Sequence, residues 1–133
     1  MGNSDMSTQT FRILFVDNSR TSRAVMSRLL SAKGYSVTTI GTGVEAVDKL
    51  KTEQYDLAIM DLFMPVMNGY EAAKIIRSCS NTNQDTPIIA LTASQDPKDI
   101  ELCKSVGMNE YVIKSEDNKD LFEAIEHYNA KPK

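Results

Sequence analysis

The chain has no tryptophan, one histidine and two cysteines among its 133 residues, and each scarcity excludes a class of site. Cys79 and Cys103 lie far apart and lack the Cys-x-x-Cys or Cys/His spacing of a zinc site, so we interpret them as free thiols in a reducing compartment. His127 has no partner at metal-ligand spacing and is interpreted as a surface residue near a helix C-terminus. With only four prolines and six glycines, against 41% hydrophobic residues, the composition is typical of a globular domain.

Long apolar runs and basic runs are also missing. No stretch approaches the roughly 18 apolar residues needed to span a bilayer, and the polar segment Met1–Thr10 has no signal-peptide core. The net charge of −3 and the pI near 5.1 argue against nucleic acid or an anionic membrane as a direct partner. We therefore predict a flexible leader over residues 1–10, one domain over residues 11–129 and a cytoplasmic location.

The sequence does contain a repeated alternation of strand-like and helix-like segments. Several of the strand-like segments are nearly unbroken apolar runs, which indicates burial on both faces of a parallel sheet. The predicted strands are Phe11–Val16, Tyr35–Ile40, Asp56–Met60, Pro87–Leu91 and Glu110–Ile113. Right-handed crossovers between them predict an α/β fold, a doubly wound parallel sheet with helices on both faces.

Apolar residues at three- and four-residue steps predict the buried face of each intervening helix. The expected faces are Ser22, Val25, Met26, Leu29 and Ala32 in the first helix, Val44, Val47 and Leu50 in the second, Ile100, Cys103 and Val106 in the fourth, and Leu121, Ile125 and Tyr128 in the last. Gly34 and Gly107 are placed to end the first and fourth helices. Asp96, followed by Pro97, is placed to begin the fourth.

Polar side chains follow the predicted strands at the points where the strands end. They are Asp17, Asn18, Asp61, Thr92 and Lys114. Because ligands of an open parallel sheet bind outside the carboxyl ends of its strands, we expect these groups to converge. Carboxylate and amide oxygens suit Mg²⁺, and a carboxylate can act as a nucleophile that forms an aspartyl phosphate. An ammonium and a hydroxyl can stabilise the transferred phosphoryl oxygens, so the set of groups predicts phosphoryl transfer.

At this point a resemblance to a known family becomes specific. The segments that carry it are Ile13–Arg20 (ILFVDNSR), Gly43–Ala46 (GVEA), Asp56–Gly69 (DLAIMDLFMPVMNG), Pro87–Ala93 (PIIALTA) and Gly107–Lys114 (GMNEYVIK). In order and spacing they resemble the response-regulator receiver family of two-component and phosphorelay signalling, over roughly Phe11 to Tyr128. The resemblance implies a flavodoxin-like receiver fold, with a five-stranded parallel sheet in the order 2-1-3-4-5.

The resemblance also implies a role for each site residue. Carried over by position, Asp61 is the phosphoacceptor, Lys114 and Thr92 contact the phosphoryl oxygens, and the Mg²⁺ ligands are Asp17, Asn18, Asp61 and the backbone carbonyl of Phe63. Movement of Thr92 toward the phosphoryl group would let Tyr111 turn inward and remodel the face of the fourth helix, fifth strand and fifth helix. Tyr111 as a simple half-buried core tyrosine remains the alternative.

Partners follow from the same resemblance. A histidine kinase or histidine phosphotransfer protein would supply the phosphoryl group, and a downstream effector or an attached output domain would read the switch. Such a domain assists its own phosphorylation and slow dephosphorylation but is not a turnover enzyme. The domain acts alone or as part of a hybrid kinase or larger regulator.

The sequence departs from the family pattern at several positions. Asn18 replaces an acid, which removes one negative charge and predicts weaker Mg²⁺ binding. Ser115 replaces the proline that usually follows the lysine, so the preceding bond is either trans or a costly cis bond. Phe63 and Ser94 lie two residues after Asp61 and Thr92, at positions where family members control water access, and a bulky Phe63 is expected to shield an acyl phosphate.

Four other functions compete with this one. Asn18 and Ser115 favour a degenerate receiver, a protein-interaction module that no longer takes phosphate. A flavodoxin-like electron carrier would need a Ser/Thr/Gly-rich phosphate loop where Asp17 stands. The Gly-x-x-x-x-Gly-Lys-Ser/Thr loop of nucleotide hydrolases is absent. Asp61-Leu62-Phe63 does not match the Asp-x-Asp pattern of aspartate-nucleophile phosphatases.

Overall fold

Strands and helices alternate along the whole described part of the chain. A computed structural model describes residues 10–130, so the predicted leader lies outside the described residues except for Thr10. The strands are β1 (Arg12–Val16), β2 (Ser36–Ile40), β3 (Leu57–Asp61), β4 (Ile88–Thr92) and β5 (Glu110–Ile113). The helices are α1 (Arg20–Ala32), α2 (Gly43–Thr52), α3 (Gly69–Ser78), α4 (Pro97–Ser105) and α5 (Lys119–Ala130).

All five strands form one parallel sheet in the order β2-β1-β3-β4-β5. The predicted fold class and strand order are therefore confirmed. Because β1 and β3 are neighbours while β2 lies on the far side of β1, the chain changes direction across the sheet after β2. The carboxyl ends of β1 and β3 meet at this switch point, where open α/β sheets bind their ligands.

Two apolar layers cover the sheet, one on each face. Leu14 and Val16 of β1 pack with the buried residues of α2, α3 and α4, whereas Ile13 and Phe15 pack with those of α1 and α5. This alternation follows from the two-residue period of a strand, which sends successive side chains to opposite faces. Since both faces are covered by helices, each of these four residues is at most 1% exposed.

The predicted helix boundaries are confirmed at the capping residues. Gly34 and Gly107 follow α1 and α4 with φ of 95° and 91°, a left-handed conformation that glycine adopts without steric cost. Asp96 is the N-cap of α4, where its carboxylate accepts a hydrogen bond from the Lys98 amide, and Pro97 begins the helix. The last helix buries Leu121 and Ile125 as expected.

Three predicted core residues are instead exposed. Val25 of α1 is 43% exposed and Val44 of α2 is 52% exposed. The buried residues of α1 are Met26 and Leu30, one turn apart, so the face that meets the sheet is rotated away from Val25. Ala32, also predicted on the buried face, is exposed for the same reason.

In α2 the inward position next to Val44 belongs to Gly43, whose backbone packs against the carbonyl of Met67. A side chain at Gly43 would collide with that carbonyl, so the close approach requires glycine there and turns Val44 outward. None of the helices within residues 10–130 has the length and apolarity required to cross a bilayer.

Candidate active site

The carboxyl edge of the sheet brings together residues from four strand ends. Asp17 follows β1, Asp61 and Thr92 are the last residues of β3 and β4, and Lys114 follows β5. The strand predictions had ended one residue earlier at both Asp61 and Thr92, and the ladder pairs of Asp61 with Leu91 and of Thr92 with Ile113 extend the strands to include them.

A single ammonium group lies close to two carboxylates. Lys114 Nζ is 3.4 Å from Asp17 Oδ2 and 3.7 Å from Asp61 Oδ2. Asp17 is 2% exposed and Asp61 is 7% exposed, whereas the Lys114 side chain remains 38% exposed. One positive charge therefore faces two buried negative charges, and the site keeps an excess of negative charge at the mouth of the sheet. The predicted convergence of these residues is confirmed, and their roles remain predictions.

Burial dominates the electrostatics of Asp61. Loss of solvent raises the pKa of the Asp61 carboxyl above its ordinary value, and the negative charge of Asp17 adds to that increase. The ammonium of Lys114 and a 3.3 Å hydrogen bond from the Phe63 amide to Asp61 Oδ1 act in the opposite direction, because both stabilise the ionised form. A further positive charge near Asp61 would complete the neutralisation that Lys114 begins.

The loop after β1 fixes Asp17 by local hydrogen bonds. Asp17 Oδ1 accepts a 2.9 Å hydrogen bond from the Ser19 amide. Ser19 is the N-cap of α1, where its side chain accepts a hydrogen bond from the Ser22 amide. Arg23 reaches back from α1 to donate a 2.8 Å hydrogen bond to the Asp17 carbonyl. Asn18 lies between Asp17 and Ser19 at the end of β1 and is exposed.

The loop between β3 and α3 runs close to Asp61. The Gly69 amide donates to the Leu62 carbonyl at 3.0 Å, and a side chain at Gly69 would collide with the Asp61 carbonyl, so α3 begins directly against the end of β3. Asn68 and Glu71 form a capping box that starts the helix there. Phe63, which was expected to shield the site, is 54% exposed.

Thr92 and Tyr111 are joined through the loop between β4 and α4. The Ser94 amide donates to Thr92 Oγ1 at 3.2 Å, and the Tyr111 hydroxyl donates to the Ser94 carbonyl. Tyr111 is half-buried against the core layer of α2, α3 and α4. Both predicted switch residues thus contact the same loop residue, and Thr92 itself is 1% exposed.

The remaining departure from the family pattern is at Ser115. No cis peptide bond occurs within residues 10–130, so the bond between Lys114 and Ser115 is trans. The Lys114 amide donates a 2.8 Å hydrogen bond to the Thr92 carbonyl, which continues the β4–β5 pairing by one residue and places Lys114 beside the site.

The donor set fits a hard divalent cation. Its candidate ligands are all oxygen atoms, from two carboxylates, one amide and one backbone carbonyl. Among residues 10–130, one ammonium group, that of Lys114, forms ion pairs with these carboxylates. Within the described part of the chain, no group of three or more His, Cys, Asp or Glu residues is placed to hold a metal. A cation here would therefore keep several water ligands, as Mg²⁺ commonly does.

Cavities alone would not have located this site. A groove of ≈ 230 Å³ borders it, lined in part by Asp17, Val25 and Lys114. A larger groove of ≈ 400 Å³ lies at the amino ends of the strands, lined in part by Tyr55 and Pro87. The sequence reasoning missed Asp99, whose carboxylate accepts a hydrogen bond from the Ser94 hydroxyl, because no motif connects a loop serine to a residue in the next helix.

Comparison with known proteins identifies the family of this chain. Residues 13–126 match the model of the family described as response regulator receiver domain. The chain is 32% identical over 114 residues to the CAI-1 autoinducer sensor kinase/phosphatase CqsS of Vibrio cholerae, a match that spans 86% of this chain and 17% of the kinase. The chain therefore resembles one part of a much longer relative.

Solved structures also match this chain, over nearly their whole length. The chemotaxis protein CheY4 of Vibrio cholerae superposes with a TM-score of 0.84 at 32% identity, covering 90% of this chain and 99% of CheY4. The receiver domain of sensor histidine kinase PA1611 from Pseudomonas aeruginosa superposes with a TM-score of 0.82 at 32% identity, covering 92% of this chain and 100% of that domain. That domain has a magnesium ion coordinated in its active-site cleft. Because the family model matches most of the residues, this chain belongs to the response regulator receiver domain family.

Proposed function

We propose that Asp61 accepts a phosphoryl group from the phosphohistidine of a histidine kinase or a histidine phosphotransfer protein. The observation that carries the proposal is the position of Lys114 Nζ, 3.4 Å from Asp17 and 3.7 Å from Asp61 at the carboxyl edge of the sheet. An Asp61 oxygen attacks phosphorus, the bond from phosphorus to the imidazole nitrogen breaks, and its electron pair stays on the leaving imidazole.

Each neighbouring side chain has a distinct part in this transfer. Lys114 favours the ionised, nucleophilic form of Asp61 against the effect of burial, and then contacts a phosphoryl oxygen. The Thr92 hydroxyl donates a hydrogen bond to another phosphoryl oxygen, since the hydroxyl oxygen already accepts a hydrogen bond from the Ser94 amide. Mg²⁺ held by Asp17, Asn18, Asp61 and the Phe63 carbonyl would neutralise the remaining negative charge.

Phosphorylation then acts through Thr92 and Tyr111 on the surface of α4, β5 and α5. The readers of that surface are a downstream effector or an attached output domain, without direct contact to nucleic acid or membrane. The chain works as a switch in the cytoplasm rather than as a turnover enzyme, with residues 11–129 as the receiver domain. These assignments are supported by family membership. The match to CqsS spans 17% of that kinase, so partners of the whole kinase are not carried over.

The test is phosphorylation of the purified chain by acetyl phosphate in the presence of Mg²⁺. Intact-mass spectrometry should show the addition of one phosphoryl group to the wild type and none to Asp61→Asn. The amide that replaces the carboxylate in that variant keeps the shape of the side chain but is not a nucleophile. Phosphotransfer from candidate histidine kinases, with the same variant as control, would then identify the donor.

A degenerate receiver is the second candidate, and Asn18 is the residue that favours it. An exposed amide replaces a carboxylate at the rim of the site, so the cation has one negative charge fewer to bind. If the wild type gains no mass and shows no response to beryllofluoride at millimolar Mg²⁺, the interaction-module function is the correct one. Asn18→Asp should tighten Mg²⁺ binding, and an unchanged affinity would remove Asn18 from the ligand set.

A further inference from the structure

Ser94 connects the phosphoryl-contacting side of the proposed site to the first turn of α4. Its amide donates to Thr92 Oγ1 at 3.2 Å, and its carbonyl accepts the hydrogen bond of the Tyr111 hydroxyl. Its own hydroxyl donates to Asp99 Oδ2 and accepts a 3.2 Å hydrogen bond from the Asp96 amide. The position of Thr92 and Tyr111 therefore depends on where Ser94 is held.

Asp99 is the side chain that holds Ser94 from within the helix. An acid in the first turn of a helix usually stabilises the exposed amides there, but Asp96 already caps α4 through the Lys98 amide. The Asp99 carboxylate instead points back to the Ser94 hydroxyl, and Asp99 is half-buried. The Asp99 carbonyl also lies 3.5 Å from the hydroxyl of Tyr70, a buried residue of α3.

We propose that Asp99 is a positioning residue that favours the phosphorylated form of the domain. By fixing the Ser94 hydroxyl, it keeps the Ser94 amide on Thr92 Oγ1, so the Thr92 proton is left free to donate to a phosphoryl oxygen. The same contact keeps the Ser94 carbonyl in place to retain Tyr111 against the loop. The inference rests on the proposed function. Asp99 acts on the proposed site through its hydrogen bond with Ser94 and is therefore a positioning residue, not a catalytic one.

Beryllofluoride, a stand-in for the phosphoryl group, gives the direct test when its affinity is measured by calorimetry at saturating Mg²⁺. Asp99→Ala should weaken its binding about fivefold, at the lower end of typical coupling between separate sites. The affinity for Mg²⁺ alone should not change, because Asp17 and Asp61 lie outside the Ser94 contacts. Asp99→Asn keeps an acceptor for the Ser94 hydroxyl and should restore most of the affinity.

Asp96→Ala is the matched control, since it removes a carboxylate from the same helix start without touching the Ser94 side chain's link to Asp99. It should lower the melting temperature and leave beryllofluoride affinity as in the wild type. Ser94→Ala should weaken binding at least as much as Asp99→Ala, since it also removes the contact of the Asp96 amide. The double variant should be no worse than Ser94→Ala, because both single variants already lack the hydrogen bond between Ser94 and Asp99. NMR of the Tyr111 ring in the bound state should show loss of its fixed position in these variants.

Several results would overturn the inference. They are wild-type beryllofluoride affinity in Asp99→Ala, equal weakening in Asp96→Ala, and additive losses in the double variant. The failure of the proposed function gives a different result, in which the wild type itself binds no beryllofluoride and gains no phosphoryl mass. Circular dichroism of each variant establishes that a change in affinity is not a change in folding.

Discussion

Asn83 forms hydrogen bonds that connect chain segments at the amino ends of the strands, and its replacement should strongly lower the free energy of unfolding. Its side chain is fully buried in the loop between α3 and β4. Oδ1 accepts hydrogen bonds from the Tyr55 amide and the Thr86 hydroxyl, each at 2.9 Å. Nδ2 donates to the carbonyls of Leu50 and Glu53, each at 2.5 Å. One amide thus joins the end of α2 to the segments that lead into β3 and β4, with every donor and acceptor in use.

Asn83→Ala removes four hydrogen bonds. The Thr86 hydroxyl can turn to the Tyr55 carbonyl, which lies 3.4 Å away, whereas the other three partners are backbone groups. A hydrogen bond contributes about 1 kcal/mol net, and a partner left buried costs more, so the loss should reach about 4 kcal/mol. That is a large part of the roughly 5–15 kcal/mol by which domains are stable. For a chain of this size the melting temperature should fall by about 15 °C, at roughly 4 °C per kcal/mol.

Asn81 provides the comparison within the same loop. Its Nδ2 donates to the carbonyls of Ile76 and Cys79, at 3.0 and 2.8 Å, and its Oδ1 accepts from the Asn83 amide at 2.8 Å. Asn81 is only half-buried, so water can replace the lost contacts and Asn81→Ala should cost about 1 kcal/mol. Urea unfolding followed by far-UV circular dichroism measures both. Equal losses in the two variants would show that burial does not decide the cost.

Three further predictions concern the site and the thiols. Without divalent cations, Asp61→Asn should be more stable than the wild type at pH 7, because burial raises the Asp61 pKa and folding disfavours the charged form. That difference should vanish as the pH falls to the ordinary pKa, and a constant difference in melting temperature would contradict it. Val66 has φ of 69° and is 96% exposed, so Val66→Gly should raise the free energy of unfolding by about 1 kcal/mol in the same urea assay; destabilisation would refute the assumed strain. Cys103 is 2% exposed and burial raises its pKa to about 11, so Cys79→Ser should take up no thiol reagent at pH 8 until it unfolds, and rapid labelling would contradict this.

The convergence of side chains at the carboxyl edge of the sheet was easier to predict than the helix faces, for a physical reason. In a parallel sheet every strand ends at the same edge, so locating the ends of apolar runs was enough to bring Asp17, Asp61, Thr92 and Lys114 together. Helix faces depend on how each helix is rotated on the sheet. At Val44 the close approach of Gly43 to the Met67 carbonyl sets that rotation, and the contact joins segments that no local pattern connects.

Loop contacts could not be predicted either, because they also join chain segments that no local sequence pattern connects. Asn83 stands in a run of polar residues whose periodicity is neither that of a helix nor that of a strand. Its buried side chain forms hydrogen bonds with the backbone of Leu50 and Tyr55, which precede it by 33 and 28 positions. Asp99 was visible as a first-turn acid, but its contact with Ser94 depends on the path of the intervening loop. Polar residues in loops acquire a specific function only when distant chain segments fix their partners.

Favourable and unfavourable groups lie at opposite ends of the sheet. At the amino ends, Asn83 satisfies every polar group that it meets. At the carboxyl ends, Asp61 is buried beside Asp17 with one ammonium between them, and Val66 is held at positive φ in the adjoining loop. Since stability is a sum over the domain, the amino end can offset the charge and strain that the site requires. Substitutions at the amino end should therefore change stability without changing phosphoryl-analogue affinity, and those at the carboxyl end should change affinity while some of them stabilise the fold.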